Sequence, residues 1–185
     1  MMEKLEFQRY LTQLGAKVDD HFQQTLIRDG EQIACRRGCA KCCMQRFSIF
    51  SIEAEPIRTY LQQLSISKPK LRDRIRRQAD SDEHQESCAF LVDGSCSIYT
   101  VRPMICRSHG LPISTGQDQY QQKGTLSYDC CPLNYRSEPP HPKSVLALDA
   151  INVPLVTIQK MWEQTESRDN SDLVERVDLA KLARA

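Results

Sequence analysis

Hydrophobic residues recur at three- and four-residue spacing in three long stretches of the chain. This spacing places the apolar side chains on one face of a helix. The first stretch covers residues 11–26, and Gly30 is expected to end its helix. The second covers residues 51–64, and the third covers residues 148–162, where Pro154 is expected to introduce a kink. The pattern therefore predicts a protein built mainly from α-helices.

Two shorter elements are predicted near the middle of the chain. An Asp93-Gly94 pair separates two short apolar runs within residues 88–99, with a cysteine near each end. Asp-Gly between apolar runs is typical of the tight turn of a β-hairpin. Pro103 can begin one or two helical turns, which would then present Cys106.

The remaining stretches are more polar. Residues 68–80 predict a basic helix, and residues 110–142, rich in Gly, Pro, Ser and Gln, predict an irregular segment. A last short helix is predicted around Leu173, Val177 and Ala180. The expected fold class is mainly α, with a small irregular cysteine-rich core and a short β-hairpin, packed by N- and C-terminal helices.

Length and composition limit the domain organisation. At 185 residues the chain is expected to form a single domain over residues 1–185, with a metal-binding core over 33–135 and flanking helices over 1–30 and 144–183. Only 40% of the residues are hydrophobic and 6% aromatic, so the apolar core is thin for this length. A structural metal would compensate, since zinc can supply on the order of 10 kcal/mol of folding free energy.

The charge distribution argues against several partners. The formal net charge is +1, which disfavours duplex DNA and an anionic membrane as partners. The basic run at residues 68–77 contains no aromatic residues for base stacking, so a solvated amphipathic helix is the simpler interpretation. Nucleic acid is therefore not expected as a partner, whereas a metal ion or cluster and a protein partner are.

Nine cysteines supply the candidate chemistry, and four of them fall between Cys35 and Cys43. No secretory signal and no apolar run of membrane length is visible, so the chain is expected to be cytoplasmic. Thiols stay reduced in that compartment, which favours metal ligands over disulfides. Cys39-x-x-Cys42 is a strong local indication, because two intervening residues let a turn aim both sulfurs at one ion. Cys43 is adjacent to Cys42, and the two side chains are expected to diverge.

Alternatives to a thiolate metal site remain open at this point. The cysteines would also suit inert buried thiols or a disulfide framework. The spacing Cys35-x3-Cys39-x2-Cys42 equals that by which radical S-adenosylmethionine enzymes hold a [4Fe–4S] cluster. Those enzymes need repeated strand–helix units, however, and the flanking segments here predict helices.

The order of the cysteine motifs carries a family resemblance. The run Cys35-x3-Cys39-x2-Cys42-Cys43 is followed by Cys88-x7-Cys96-Ser-Ile-Tyr99, then by Arg102-Pro103-x2-Cys106-Arg107, and finally by Cys131-Pro-Leu-Asn. In this order the chain resembles the YkgJ-type cysteine-cluster family, also called the CxxCxxCC domain, to which zinc or iron chelation is ascribed. The resemblance implies eight metal-binding cysteines: Cys35, Cys39, Cys42, Cys43, Cys88, Cys96, Cys106 and Cys131. Cys130 is the alternate for the eighth, because the family's last cysteine is doubled here.

Two function classes are compatible with this resemblance. In the first, the protein is a metal-binding module that holds zinc, iron or an iron–sulfur cluster and acts through a partner, or that stores or delivers the metal. In the second, it is an iron–sulfur or metal-dependent enzyme, an oxidoreductase or a protein-modifying enzyme, because some related proteins are flagellin lysine N-methylases. No nucleotide-binding loop and no catalytic triad is visible in the sequence. The binding module needs fewer unseen parts and is favoured.

Other side chains near the cysteines are candidate supporting groups. Arg102 and Arg107 flank Cys106, and each is expected to bond either a ligating sulfur or a nearby carboxylate. Tyr99 could direct its hydroxyl towards the site or pack against the hairpin, and packing is the favoured alternative. His109 is a candidate ligand, proton carrier or solvated side chain. His21 has no evident partner in the sequence.

Overall fold

The computed structural model describes residues 4–36, 38–81, 87–115, 127–165 and 175–185. Within these ranges the chain forms six α-helices and six short strands, which confirms the mainly α prediction. The helices are α1 Lys4–Asp29, α2 Ser51–Ser67, α3 Pro69–Asp80, α4 Met104–Ser108, α5 Asp149–Thr165 and α6 Leu179–Arg184. The strands are β1 Ser48–Phe50, β2 Leu91–Val92, β3 Ser95–Cys96, β4 Ile113–Ser114, β5 Leu146–Ala147 and β6 Arg176–Asp178. None of the described helices is both long enough and apolar enough to cross a bilayer.

The described strands pair into two-stranded sheets. β1 and β6 are antiparallel, with Ile49 opposite Val177, and β4 and β5 are parallel. β2 and β3 form the predicted hairpin, in which Leu91 lies opposite Cys96. Asp93 and Gly94 at its turn both have positive φ angles, 51° and 69°, as a two-residue turn of this hand requires.

The chain divides into two compact units. The first contains the described residues of Met1–Arg36 and Met104–Met161, and the second contains those of Arg37–Pro103 and Trp162–Ala185. The boundary between Met161 and Trp162 lies inside α5. That the whole chain acts as a single domain stays a prediction.

In the first unit, α1 packs against the short helix α4. Gly15 permits this close approach, because a Cβ atom at Gly15 would lie 3.3 Å from both Met104 Cε and Arg107 Nε. Of the predicted apolar face of α1, Leu11, Leu14 and Val18 are buried, whereas Phe22 and Leu26 are partly exposed. Phe7 extends the buried face at its amino end. α1 ends at Asp29 and a 3₁₀ turn begins at Gly30, which confirms Gly30 as the stop.

The second unit has a contiguous hydrophobic core formed by α2, α3, the hairpin and α6. Cys88 and Cys96 pack against it as partly buried residues. α3 is the predicted basic helix, but Arg72 is only 3% exposed and its Nη1 donates to Ala183 O at 2.7 Å. One guanidinium of this basic helix therefore holds α6 instead of facing water, and desolvation lowers its pKa.

The last helix begins later than predicted. Val177 lies in β6, and α6 starts at Leu179 because the Asp178 side chain accepts from the backbone N–H groups of Ala180 and Lys181. Leu173, which was assigned to that helix, is outside the described residues. Part of the predicted irregular segment, residues 116–126, is outside them too, while its described part contains β4.

Candidate metal centre

All nine cysteines lie in the described part of the chain, and each is present as a thiol. Cys131 is buried, and the others are partly exposed. The second compact unit contains Cys39, Cys42, Cys43, Cys88 and Cys96, whereas Cys35, Cys106, Cys130 and Cys131 belong to the first.

A tight turn presents the adjacent cysteines of the second unit. Gly38 has a φ of 90°, a left-handed conformation that glycine adopts without steric cost. A 3₁₀ turn follows at Lys41–Cys43, with Cys43 N donating to Ala40 O at 2.9 Å. The side chains of Cys42 and Cys43 affect one another's ionisation. That the two side chains diverge stays a prediction.

The hairpin brings two more thiols to this turn. Cys88 N donates to Cys43 O at 2.7 Å, which attaches the start of the hairpin to the turn. The register of β2 and β3 then returns Cys96 to the same end of the hairpin. The charges of these side chains act on one another's ionisation, so we refer to Cys42, Cys43, Cys88 and Cys96 as the thiol cluster.

The thiol cluster holds its negative charge unevenly. The neighbouring thiol of Cys43 lowers the pKa of Cys42, aided by the positive charge of Arg102. The side chain of Cys42, together with burial and the charges of the other neighbouring thiolates, raises the pKa of Cys43. Burial raises the pKa of Cys88 to about 11 and also raises that of Cys96. Cys42 is thus the favoured thiolate, and further ionisation requires added positive charge, which a metal ion supplies.

The two candidate arginines have different partners. Arg102 acts on Cys42 and Cys96 through its charge, and its guanidinium carbon lies 4.0 Å from the centre of the Tyr99 ring. Tyr99 is therefore a stacking platform for Arg102, and its side chain is largely exposed. Arg107 is ion-paired with Asp19 of α1. Of its two expected partners, a ligating sulfur or a carboxylate, Arg107 therefore has the carboxylate.

In the first unit, Cys35 contacts a buried amide. Asn134 Nδ2 lies 3.4 Å from Cys35 Sγ and donates to Gly110 O at 2.7 Å. Its Oδ1 accepts from Ala34 N at 2.9 Å. Sequence reasoning used Asn134 only as a marker beside Cys131, since no local pattern shows that a residue ninety-nine positions away meets Cys35.

The doubled cysteines differ in their surroundings. Cys131 is buried, and its carbonyl accepts from Asn134 N at 2.8 Å. Cys130 is less buried, and its Sγ lies 3.5 Å from Cys131 O. Its pKa is raised mainly by burial and secondly by the negative charge of Asp129. Cys106 lies on α4 and is partly exposed.

The surroundings of two histidines are defined. Burial lowers the pKa of His109, which favours the neutral imidazole. His21 does have a partner, because its Nε2 lies 3.0 Å from Ser144 O.

The donor chemistry of these residues fits a thiophilic metal. Sulfur ligands suit zinc, iron and copper(I), and Arg102 offsets part of the charge of a thiolate-rich site. Among residues 4–36, 38–81, 87–115, 127–165 and 175–185, no three His, Cys, Asp or Glu side chains form a group already arranged to hold a metal ion.

Fold and site together define a mainly α-helical protein with a cysteine-rich centre. The profile of the CxxCxxCC family, described as a "putative zinc- or iron-chelating domain", matches residues 34–132. The match covers more than half of the chain and includes every cysteine, so the protein belongs to this family. No curated protein and no solved structure shows significant similarity to the chain.

Proposed function

We propose that the protein chelates zinc or iron through cysteine thiolates and works in the cytoplasm. The observation that supports this most directly is the thiol cluster, in which four sulfurs from a turn and a hairpin interact electrostatically beside Arg102. Four sulfur donors match the ligand number of a tetrahedral zinc or iron site. Membership of a family with this description supports the same function.

The thiol cluster supplies the first set of ligands. Binding takes protons from Cys43, Cys88 and Cys96, whose pKa values are raised, while Cys42 is the favoured thiolate that begins the exchange. A bound ion neutralises the thiolates and joins the Cys42–Cys43 turn to the hairpin. The remaining proposed ligands are Cys35, Cys39, Cys106 and Cys131, with Cys130 as the alternate to Cys131.

The role proposed for the protein is that of a binding module. It holds the metal and either acts through a protein partner or delivers the metal to one. The net charge of +1 supports a protein partner over nucleic acid. Of the arginines on the basic helix α3, Arg72 holds the backbone of α6 and Arg74 is paired with Asp93. This pairing leaves less positive charge for a phosphate backbone.

Anaerobic purification followed by metal and sulfide analysis tests the proposal. We expect stoichiometric zinc or iron in the wild-type protein, because four thiolates in one unit bind such ions strongly. A colourless protein with zinc and no sulfide identifies mononuclear sites, and a brown protein with equal iron and sulfide identifies an iron–sulfur cluster. Metal absent from both aerobic and anaerobic preparations would contradict the proposal.

Serine variants locate the ligands. Cys42→Ser and Cys88→Ser should each lower the bound metal per chain, since each removes a thiolate from the thiol cluster. Cys131→Ser should lower it more than Cys130→Ser, which serves as the matched control at the neighbouring position. Equal losses from the last two variants would contradict the assignment of Cys131.

A further inference from the structure

The turn that follows Cys131 carries a buried amide to Cys35. Asn134 is 3% exposed, and its backbone N–H closes the turn by donating to Cys131 O at 2.8 Å. The next residue, Tyr135, donates from its backbone N–H to Gln32 O at 2.8 Å. These bonds hold the turn against the segment that leads into Cys35.

The backbone partners of Asn134 fix the orientation of its side-chain amide, that is, the positions of Oδ1 and Nδ2. Ala34 N is only a donor and Gly110 O is only an acceptor, so Oδ1 must face Ala34 and Nδ2 must face Gly110. The amide cannot flip without losing both bonds. One N–H of Nδ2 is used by Gly110 O, and the second N–H is directed to Cys35 Sγ at 3.4 Å.

This arrangement suits both protonation states of Cys35. As a thiol, Cys35 donates to Asn134 Oδ1, which lies 3.8 Å from the sulfur. As a thiolate, the sulfur accepts from Nδ2 instead. A hydrogen bond from a neutral amide stabilises the negative sulfur without adding a charge, and it can form without moving the backbone.

Gly110 makes room for the sulfur. Its φ is 98°, and a Cβ atom there would lie 2.7 Å from Cys35 Sγ and 3.5 Å from Asn134 Nδ2. The sulfur therefore rests against bare backbone on one side and against the amide on another. These two contacts fix the direction of the Cys35 side chain. A metal ligand needs a fixed direction, whereas an inert thiol does not.

We propose that Asn134 is a positioning residue for metal binding, which orients the Cys35 sulfur and donates an N–H to it when it is a metal-bound thiolate. This inference rests on the proposed function, in which Cys35 is a ligand. Hydrogen-bonding partners of ligand atoms orient those ligands, and their loss lowers metal affinity by about 10- to 100-fold. Neither the family description nor the motif order assigns Asn134 a role.

A double-mutant cycle on the full-length protein tests the proposal. Zinc affinity is measured by competition with a chromophoric chelator for the wild type, Asn134→Asp, Cys35→Ser and the double variant. We expect Asn134→Asp to weaken zinc binding about 10- to 100-fold, because it removes the N–H donor and puts a negative charge beside the sulfur. In the Cys35→Ser background the same change should have little effect. Asn152→Asp, at an exposed position on α5, is the matched control for the added charge.

A second variant and a spectroscopic measurement separate positioning from folding. Asn134→Ala removes the donor without adding charge, and circular dichroism of each apo-protein shows whether the fold is kept. In the cobalt(II)-loaded protein, loss of the N–H bond should shift the sulfur-to-metal charge-transfer band to lower energy in both Asn134 variants. Asn152→Asp should leave the band unchanged.

Each contradictory result has a distinct meaning. An equal loss of zinc affinity from Asn134→Asp in both backgrounds, or an unshifted cobalt band in folded variants, overturns the positioning role alone. Unchanged zinc affinity in Cys35→Ser overturns the assignment of Cys35 as a ligand. A wild-type protein that binds neither zinc nor cobalt overturns the proposed function itself.

Discussion

Single residues decide the geometry around the sulfurs, and the glycines show this most clearly. Gly30 has open space at the position of a Cβ and no positive φ. Gly38 has open space but a φ of 90°. Gly110 combines a φ of 98° with a sulfur 2.7 Å from the Cβ position. The three positions therefore separate backbone strain from steric overlap.

Alanine substitutions at these glycines should follow that order. We expect Gly30→Ala to change the free energy of unfolding by less than about 0.5 kcal/mol. Gly38→Ala should cost about 1–2 kcal/mol through the left-handed backbone alone. Gly110→Ala should cost about 1–3 kcal/mol more, because the methyl group displaces Cys35. Urea denaturation measures all three, and a Gly110→Ala variant no less stable than Gly38→Ala would show that the sulfur moves away freely.

At the scale of elements, the residues at the ends of the short strands and helices decide where each element begins and stops. The α6 helix begins where Asp178 Oδ1 accepts from Ala180 N at 2.6 Å and from Lys181 N at 3.3 Å. Asp178 also ends β6, opposite Ser48 of β1. One residue thus closes a strand and caps a helix, which is why Val177 belongs to the strand although its spacing suggested a helix.

Removal of this cap should destabilise the second unit. We expect Asp178→Ala to lower the free energy of unfolding by about 0.5–2 kcal/mol, since two backbone N–H groups lose their acceptor. Asp178→Asn keeps an oxygen in place and should retain most of the stability. Thermal unfolding of the two variants beside the wild type gives the comparison, and equal losses would show that charge rather than capping is responsible.

At the scale of the whole molecule, the cysteines are shared between two compact units that interleave in sequence. The thiol cluster lies in the second unit, and the Cys35–Asn134 contact lies in the first. The hydrophobic core of the second unit packs directly against Cys88 and Cys96. Metal bound at the thiol cluster should therefore stabilise that core together with the turn.

Chelation should reveal this stabilisation. Ligand that binds only the folded state at about 1,000 times its dissociation constant adds about 4 kcal/mol to the free energy of unfolding. We expect the metal-loaded protein to melt at a higher temperature than the chelator-treated protein, and zinc added back should restore the difference. Calorimetry of both forms measures it. Identical melting temperatures would show that the metal is not coupled to the fold.

The sequence by itself determined the features that depend on neighbours in the chain. The three- and four-residue spacing located α1, α2 and α5, and Asp93-Gly94 located the hairpin. The order of the cysteine motifs indicated the family, which the profile match confirms. These features follow from local geometry and from residue types at short spacing, so a linear pattern is enough to find them.

The tertiary structure decided which distant groups meet. It assigned Arg102 to the thiol cluster and Arg107 to Asp19, and it brought Asn134 to Cys35. Contacts of this kind depend on how helices and turns pack, and packing is set by all the elements of a unit at once. The sequence alone therefore identified the thiols as candidate metal ligands. Only the fold showed which neighbouring side chains contact these thiols and which change their pKa.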